Sequence, residues 1–206
     1  LNMDTPGIRV EPIFFASGTH EVNQVFFDDV SVPKSNIVGI ENEGWKVAKY
    51  LLEFERGNAY SPGLKGAISH LKEVAKTEMG VSGSSYYADE DFQRRLSDVE
   101  IQVLSMEYTE LRILGALAAG QNVGPESSML KTRGTELQQA VTELALDISG
   151  NWSAPLDEST PRDGDNFLPV GPIAHNGAAQ EYFNTRKVSI YAGSNEVQRN
   201  IMAKLV

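Results

Sequence analysis

The sequence predicts a mainly α protein: an antiparallel four-helix bundle over residues 41–206, preceded over residues 1–40 by a short β-strand segment of another domain. Three observations carry this prediction. Apolar residues recur at helical spacing through long stretches between positions 44 and 148, the breaks between those stretches are short and rich in Gly or Pro, and strand-like alternation is confined to the first forty positions.

The strand-prone part comes first. Ile8-Arg9-Val10-Glu11-Pro12-Ile13 alternates and is rich in β-branched residues, and Val22, Val25, Phe26, Phe27, Val30 and Val32 form a second such zone, punctuated by Asp28-Asp29 and Pro33. Two or three strands make no stable sheet alone, so the chain is expected to begin inside a β domain. After a turn from Gly39 to Asn42, a helix runs from Gly44 to Arg56 with Trp45, Ala48, Leu52 and Glu55 along one stripe. Gly57 and Pro62 interrupt it, and Leu64, Ile68, Leu71 and Ala75 resume the period. Met79 to Ala88 reads as a loop. The next helix spans Asp89 to about Ala119, with its acidic start suited to the helix dipole and an apolar face of Phe92, Leu96, Val99, Val103, Met106, Leu111 and Leu114. A turn from Gly120 to Pro125 leads to a helix from about Glu126 to Ile148, carrying Met129, Leu130, Leu137, Val141, Leu144 and Ile148, and Gly150 stops it. Asn151 to Asn176, with four prolines, reads as an irregular surface loop. Two last helices meet at Ala192-Gly193-Ser194. Val188, Ile190 and Tyr191 close the first, Val197, Ile201 and Leu205 repeat through the second, Ser194 caps it and Glu196 sits in its first turn.

Composition narrows the function classes. Eighteen Lys and Arg against 28 Asp and Glu give a net charge of −10, which argues against a nucleic-acid face and against anionic membranes. The absence of cysteine excludes disulfides, thiolate metal sites and Cys nucleophiles, and His20, His70 and His175 are too scattered to suggest a metal site. No apolar run reaches the length of a membrane span and no leader pattern opens the chain, so a cytoplasmic location is expected.

The closing stretch Ile190-Tyr191-Ala192-Gly193-Ser194-Asn195-Glu196-Val197-Gln198-Arg199-Asn200-Ile201 closely resembles the C-terminal signature of the acyl-CoA dehydrogenase family, roughly I-Y-E-G-T-x-x-I-Q-R-N-I. One departure stands inside it: many members carry the catalytic Glu where this chain has Ala192, which has no proton-accepting group. Val25-Phe26-Phe27-Asp28-Asp29-Val30-Ser31-Val32-Pro33 and Asn36-Ile37-Val38-Gly39 resemble the end of the family's middle β domain. The resemblance thus implies that residues 1–40 are the remnant of a truncated middle domain and residues 41–206 the C-terminal helical bundle. The missing part of the family fold holds the usual flavin-ring contacts, so the chain alone is expected to be inactive. Arg133-Gly134-Thr135-Glu136-Leu137-Gln138-Gln139 and Tyr182-Phe183-Asn184-Thr185-Arg186-Lys187 are similar to bacterial paralogues, including the large subunit of pimeloyl-CoA dehydrogenase-type enzymes.

The family's chemistry is FAD-dependent α,β-dehydrogenation of an acyl-CoA thioester, by α-proton abstraction and hydride transfer to flavin. It needs a carboxylate in a dry pocket, where burial raises the pKa toward working pH. Aligning Gly44-Trp45-Lys46-Val47-Ala48 with the family's G-[FW]-x-V-A places Glu55 where isovaleryl- and long-chain-type members carry the base. The resemblance also implies that Arg56 holds the CoA portion, that Glu53 lies near the same arm, and that Ser194 and Glu196 meet the adenosine end of FAD. Ala145-Leu146-Asp147-Ile148-Ser149-Gly150-Asn151 stands where the family reads A-x-Q-x-x-G-G, a turn touching FAD from a neighbouring subunit. There Gly150 is retained, while Asp147 replaces Gln and Asn151 the second Gly. The family's R-x-x-F-G-x contact is not visible between Thr77 and Asp91. Implied partners are an acyl-CoA, electron-transfer flavoprotein or a similar acceptor, and further subunits in a homo- or hetero-oligomer.

On spacing alone, Glu55 and Glu53 read as solvated helix carboxylates, Arg56 as a surface ion-pair partner and Asp147 to Gly150 as a helix end. Two other functions stay open: a non-catalytic partner subunit of a hetero-oligomeric dehydrogenase, and a helical interaction module without flavin.

Overall fold

The computed structural model describes residues 1–55, 59–121, 124, 126–155 and 170–204, with backbone only for residues 52–55. They fall into two units, Leu1–Gly57 and Asn58–Val206.

In the first unit, strands β1 (Ile8–Phe14) and β2 (His20–Phe27) form an antiparallel hairpin pairing Ile8 with Phe27 and Val10 with Val25, with an irregularity at Ile13/Phe14. Arg9 lies opposite Phe26 and stacks its guanidinium 4.0 Å from the ring centroid. Gly7, at φ 91°, closes the sheet end: a Cβ there would stand 2.1 Å from the Asp28 carbonyl oxygen. The second strand ends at Phe27, short of the zone the sequence suggested, because Asp28-Asp29 turns the chain with Asp29 at φ 47°. Helix α1 (Gly44–Glu55) follows, and Trp45, expected on a shared stripe with Ala48, is 71% exposed.

The second unit is the bundle. Its helices are α2 (Ser61–Thr77), α3 (Glu90–Ala118), α4 (Glu126–Ser149), α5 (Ala178–Thr185) and α6 (Asn195–Ala203). Helices α2, α3 and α4 pack pairwise on one another, and α5 and α6 together take the fourth place, both against α4. Pro62 does not kink a continuous helix; it occupies the first turn of α2, where its missing N–H costs nothing. Asp89 caps α3, its carboxylate accepting from Phe92 N at 2.8 Å.

The core follows the predicted stripes: Leu64, Ile68, Leu71 and Ala75 of α2, Phe92 to Met106 of α3, and Leu130, Leu137, Val141, Leu144 and Ile148 of α4 are all buried. Three expectations are corrected. The α3 core stripe continues through Glu110 and Ile113, so Leu111 and Leu114 point outward at 56% and 51% exposure. Met129 lies at the edge of the α4 stripe and is also exposed. On α6 the expected apolar face is not the buried one: Asn195 and Gln198 are buried and Val197 is exposed, because this helix packs on α4 through hydrogen bonds. Since α4 touches every other helix of the bundle, it also buries hydroxyls; Thr132 and Ser149 turn theirs back onto its own carbonyls, while the buried Ser128 hydroxyl has no partner among the described residues. Thr132 donates to Ser128 O at 2.9 Å and Ser149 to Ala145 O at 2.8 Å.

Candidate functional site

The break between α5 and α6 is built from consecutive left-handed residues. Ala192 at φ 53° and Gly193 at φ 81° reverse the chain, and Ser194 then opens α6, its hydroxyl accepting from Val197 N at 3.4 Å. At Gly193 the positive φ disfavours a side chain, and a Cβ would also displace the Gln198 amide, 2.6 Å away. That amide donates to the Ala192 and Gly193 carbonyls, at 3.3 Å each, and pins the turn from inside. Asn195 does the same from the α4 side: its Oδ1 accepts from Lys131 Nζ at 2.9 Å, and its Nδ2 donates to Thr135 Oγ1 at 3.1 Å.

Charge at this break is tightly managed. Glu196 is held below the usual carboxylate range by its own backbone N–H and by the Ser194 hydroxyl. Burial lowers the Lys131 ammonium, which Glu196 partly offsets. Arg199 pairs with Glu136, which also binds Arg133 at 2.8 Å, and Arg133 reaches Gln102 on α3.

A second structure borders the break. Glu110, on α3 and 5% exposed, accepts from Tyr60 N at 2.6 Å, from Ser61 N at 3.1 Å and from the Ser61 hydroxyl, so α3 caps the start of α2. The Tyr60 ring lies flat against Gly134, where a Cβ would stand 2.4 Å away. Burial, with Tyr191 and Glu110 nearby, pushes its phenol above the usual range.

Ser194 and Glu196 therefore share one helix start. Asp147 and Gly150 lie at the other end of α4, roughly 18 Å from Thr135 at 1.5 Å per residue. Asp147 pairs there with Arg95 of α3 at 2.7 Å, and Gly150 takes φ 47° as the helix closes. Glu55 is the last residue of α1 and Glu53 lies within it; their side chains and all of Arg56 lie outside the described residues. The same end of α4 borders a cavity of about 230 Å³ lined by His70, Val141, Ser149 and His175 among others. His175 is buried, with Nδ1 3.1 Å from Ser149 Oγ; its Nε2 lies 3.1 Å from Glu78 Oε1, out of line for a hydrogen bond.

Glu110, Asn195, Gln198 and Lys131 were not singled out from the sequence. Glu110 did leave a signal, a carboxylate four residues after Met106 in the core register of α3. Asn195 and Gln198 left none, because a polar pair on an amphipathic helix normally marks its solvent side.

Among the described residues no helix is long and apolar enough to cross a membrane, and no group of three or more His, Asp or Glu stands ready to hold a metal ion. Residues 42–206 match the family model described as acyl-CoA dehydrogenase, C-terminal domain. Acyl-CoA dehydrogenase IpdE1 of Mycobacterium tuberculosis is 30% identical over 99% of this chain and 48% of its own length. The acyl-CoA dehydrogenase of Geobacillus kaustophilus has a similar structure, with a TM-score of 0.78 at 22% identity over all of this chain and 50% of that one. The ChsE4–ChsE5 complex of Mycobacterium tuberculosis matches with a TM-score of 0.77 at 23% identity, over 98% of this chain and 50% of that one. The chain thus spans about half the length of the relatives it matches. With its broken α5–α6 pair, its closing signature and a family model that covers the whole bundle, the chain belongs to the acyl-CoA dehydrogenase family and carries its C-terminal domain.

Proposed function

We propose that this chain is part of an FAD-dependent acyl-CoA dehydrogenase in which Glu55 removes the α proton of an acyl-CoA thioester. The observation that carries the reading is Ala192 itself: the turn between α5 and α6 is intact, with its left-handed backbone and its Gln198 brace, yet Ala192 has no carboxylate, while Glu55, next to Arg56 in the sequence, is the last residue of α1.

When bound, FAD supplies the acceptor for the β hydrogen as hydride. The chain's own residues do the rest. The Glu55 carboxylate accepts the α proton, Arg56 donates to the CoA arm through its rigid fork, and Glu53 borders that arm. Ser194 and Glu196 meet the adenosine end, while the turn at Asp147 and Gly150 serves the FAD of a neighbouring subunit. The fit is reasonable at both ends of α4. The α6 start offers backbone donors beside the Lys131 ammonium, and at the other end Arg95 neutralises the Asp147 carboxylate. Electron-transfer flavoprotein or a similar acceptor reoxidises the enzyme, which works in the cytoplasm as an oligomer.

Full-length enzyme carrying Glu55→Gln should lose about 10²–10⁴-fold in turnover while keeping its flavin absorbance. Near-normal turnover would remove Glu55 from the mechanism. The ChsE4–ChsE5 structure is of a two-component complex, which favours a second reading, a partner subunit with fewer flavin contacts. Copurification with a paralogue and substoichiometric flavin would select it.

A further inference from the structure

We propose that Glu110 is a positioning residue for the base: from α3 it anchors the stretch of chain that follows Glu55, so that the Glu55 carboxylate meets the α proton in one place. The inference rests on the reading of Glu55 as that base. Glu55 closes α1, and Tyr60, five residues on, stands at the start of α2. Five residues reach at most about 17 Å, so whatever holds Tyr60 limits where Glu55 can stand.

Helix α2 lacks the usual local cap. Tyr60 occupies the cap position with helical backbone angles, φ −93° and ψ −31°, and its side chain accepts nothing from the first turn, where a Ser, Thr, Asp or Asn ordinarily would. The acceptor comes instead from α3. The Glu110 carboxylate, 5% exposed, takes the Tyr60 N–H at 2.6 Å, the Ser61 N–H at 3.1 Å and the Ser61 hydroxyl. A local cap would end the helix equally well yet leave that end free to shift against the bundle; a cap from another helix fixes it in place. Hydrogen bonds to a carboxylate shielded from water are also strong and narrow in geometry.

A second hold acts on the same residue. The Tyr60 ring lies against Gly134 of α4, where a Cβ would stand 2.4 Å away. Glycine is unfavourable inside a helix, and at this buried position it makes room for the ring. Tyr60 is thus gripped by α3 through its backbone and by α4 through its ring, the two long helices on which α2 packs. Stability alone does not call for a carboxylate here, since a buried charge without a cation is costly. Fixed placement does, because a shift of about 1 Å in a reacting group can lose about 10²-fold in rate.

Single-turnover bleaching of the flavin by one acyl-CoA, in the full-length enzyme, tests this. Glu110→Gln keeps the side chain's shape but gives up one acceptor oxygen, and should slow bleaching about tenfold or more at unchanged acyl-CoA affinity and flavin content. In Glu55→Gln, which leaves no carboxylate to place, Glu110→Gln should add no further loss. Ser61→Ala removes one donor and leaves the Glu110 carboxylate, and should give the same pattern at about threefold. An unchanged rate in Glu110→Gln and Ser61→Ala, a loss that merely tracks bound flavin, or the same fold-loss in the Glu55→Gln background would overturn the proposal. Wild-type bleaching in Glu55→Gln alone would strike the base itself, and the anchoring role with it.

Discussion

A carboxylate buried as deeply as Glu110 has to be held by donors, and among the described residues it takes them from Tyr60 and Ser61 at the start of α2, with no Lys or Arg in ion-pair reach. Glu110→Ala should therefore cost more than an ordinary capping loss, about 2–3 kcal/mol in chemical denaturation, because two backbone N–H groups lose their partner at once. A loss below 0.5 kcal/mol, as on an ordinary surface, would show that water replaces the carboxylate. Tyr60, alongside, titrates in the opposite sense to a paired acid. Its folded-state pKa is raised, so its contribution to stability is complete below about pH 10 and is lost as pH climbs through the higher folded value. Tyr60→Phe should shrink the fall in thermal midpoint between pH 9 and pH 11; an unchanged fall would place that titration elsewhere.

At the scale of elements, the break between α5 and α6 depends on Gln198, which supplies the only hydrogen bonds described to the Ala192 and Gly193 carbonyls. Gln198→Ala should destabilise by about 1–2 kcal/mol and loosen the turn, seen as faster amide exchange at the start of α6. Unchanged exchange there would mean that the Ser194 cap alone holds the turn. The long helices were legible because their apolar residues keep a 3.6-residue period over many turns: Leu64 to Ala75 and Leu130 to Ile148 read correctly from spacing alone. Where spacing misled, a polar residue had taken a core position. Glu110 hid the true continuation of the α3 stripe and made Leu111 and Leu114 look inward, and buried Asn195 and Gln198 made Val197 seem the packed side of α6. Nearest-neighbour chemistry was easier to read. The Asp89 and Ser194 caps follow from local donors and acceptors, whereas the Glu110 clasp joins residues about fifty positions apart, which no window along the chain spans.

Within the bundle, α4 is the member on which the other helices pack. One end carries Lys131 and Thr135 against the α6 start, and the other carries Asp147 and the closing Gly150. The residues proposed to meet FAD thus fall into two groups at opposite ends of one helix.

If Glu55 of α1 has taken over proton abstraction from the α5–α6 turn, as we propose, then returning a carboxylate to that turn should restore activity lost at Glu55. Ala192 already holds the left-handed backbone, so Ala192→Glu adds a side chain without new backbone strain. In the full-length enzyme, turnover of one acyl-CoA should fall about 10²–10⁴-fold in Glu55→Gln and recover substantially in Glu55→Gln with Ala192→Glu, at equal flavin content. Turnover that survives Glu55→Gln at the wild-type level would contradict the account.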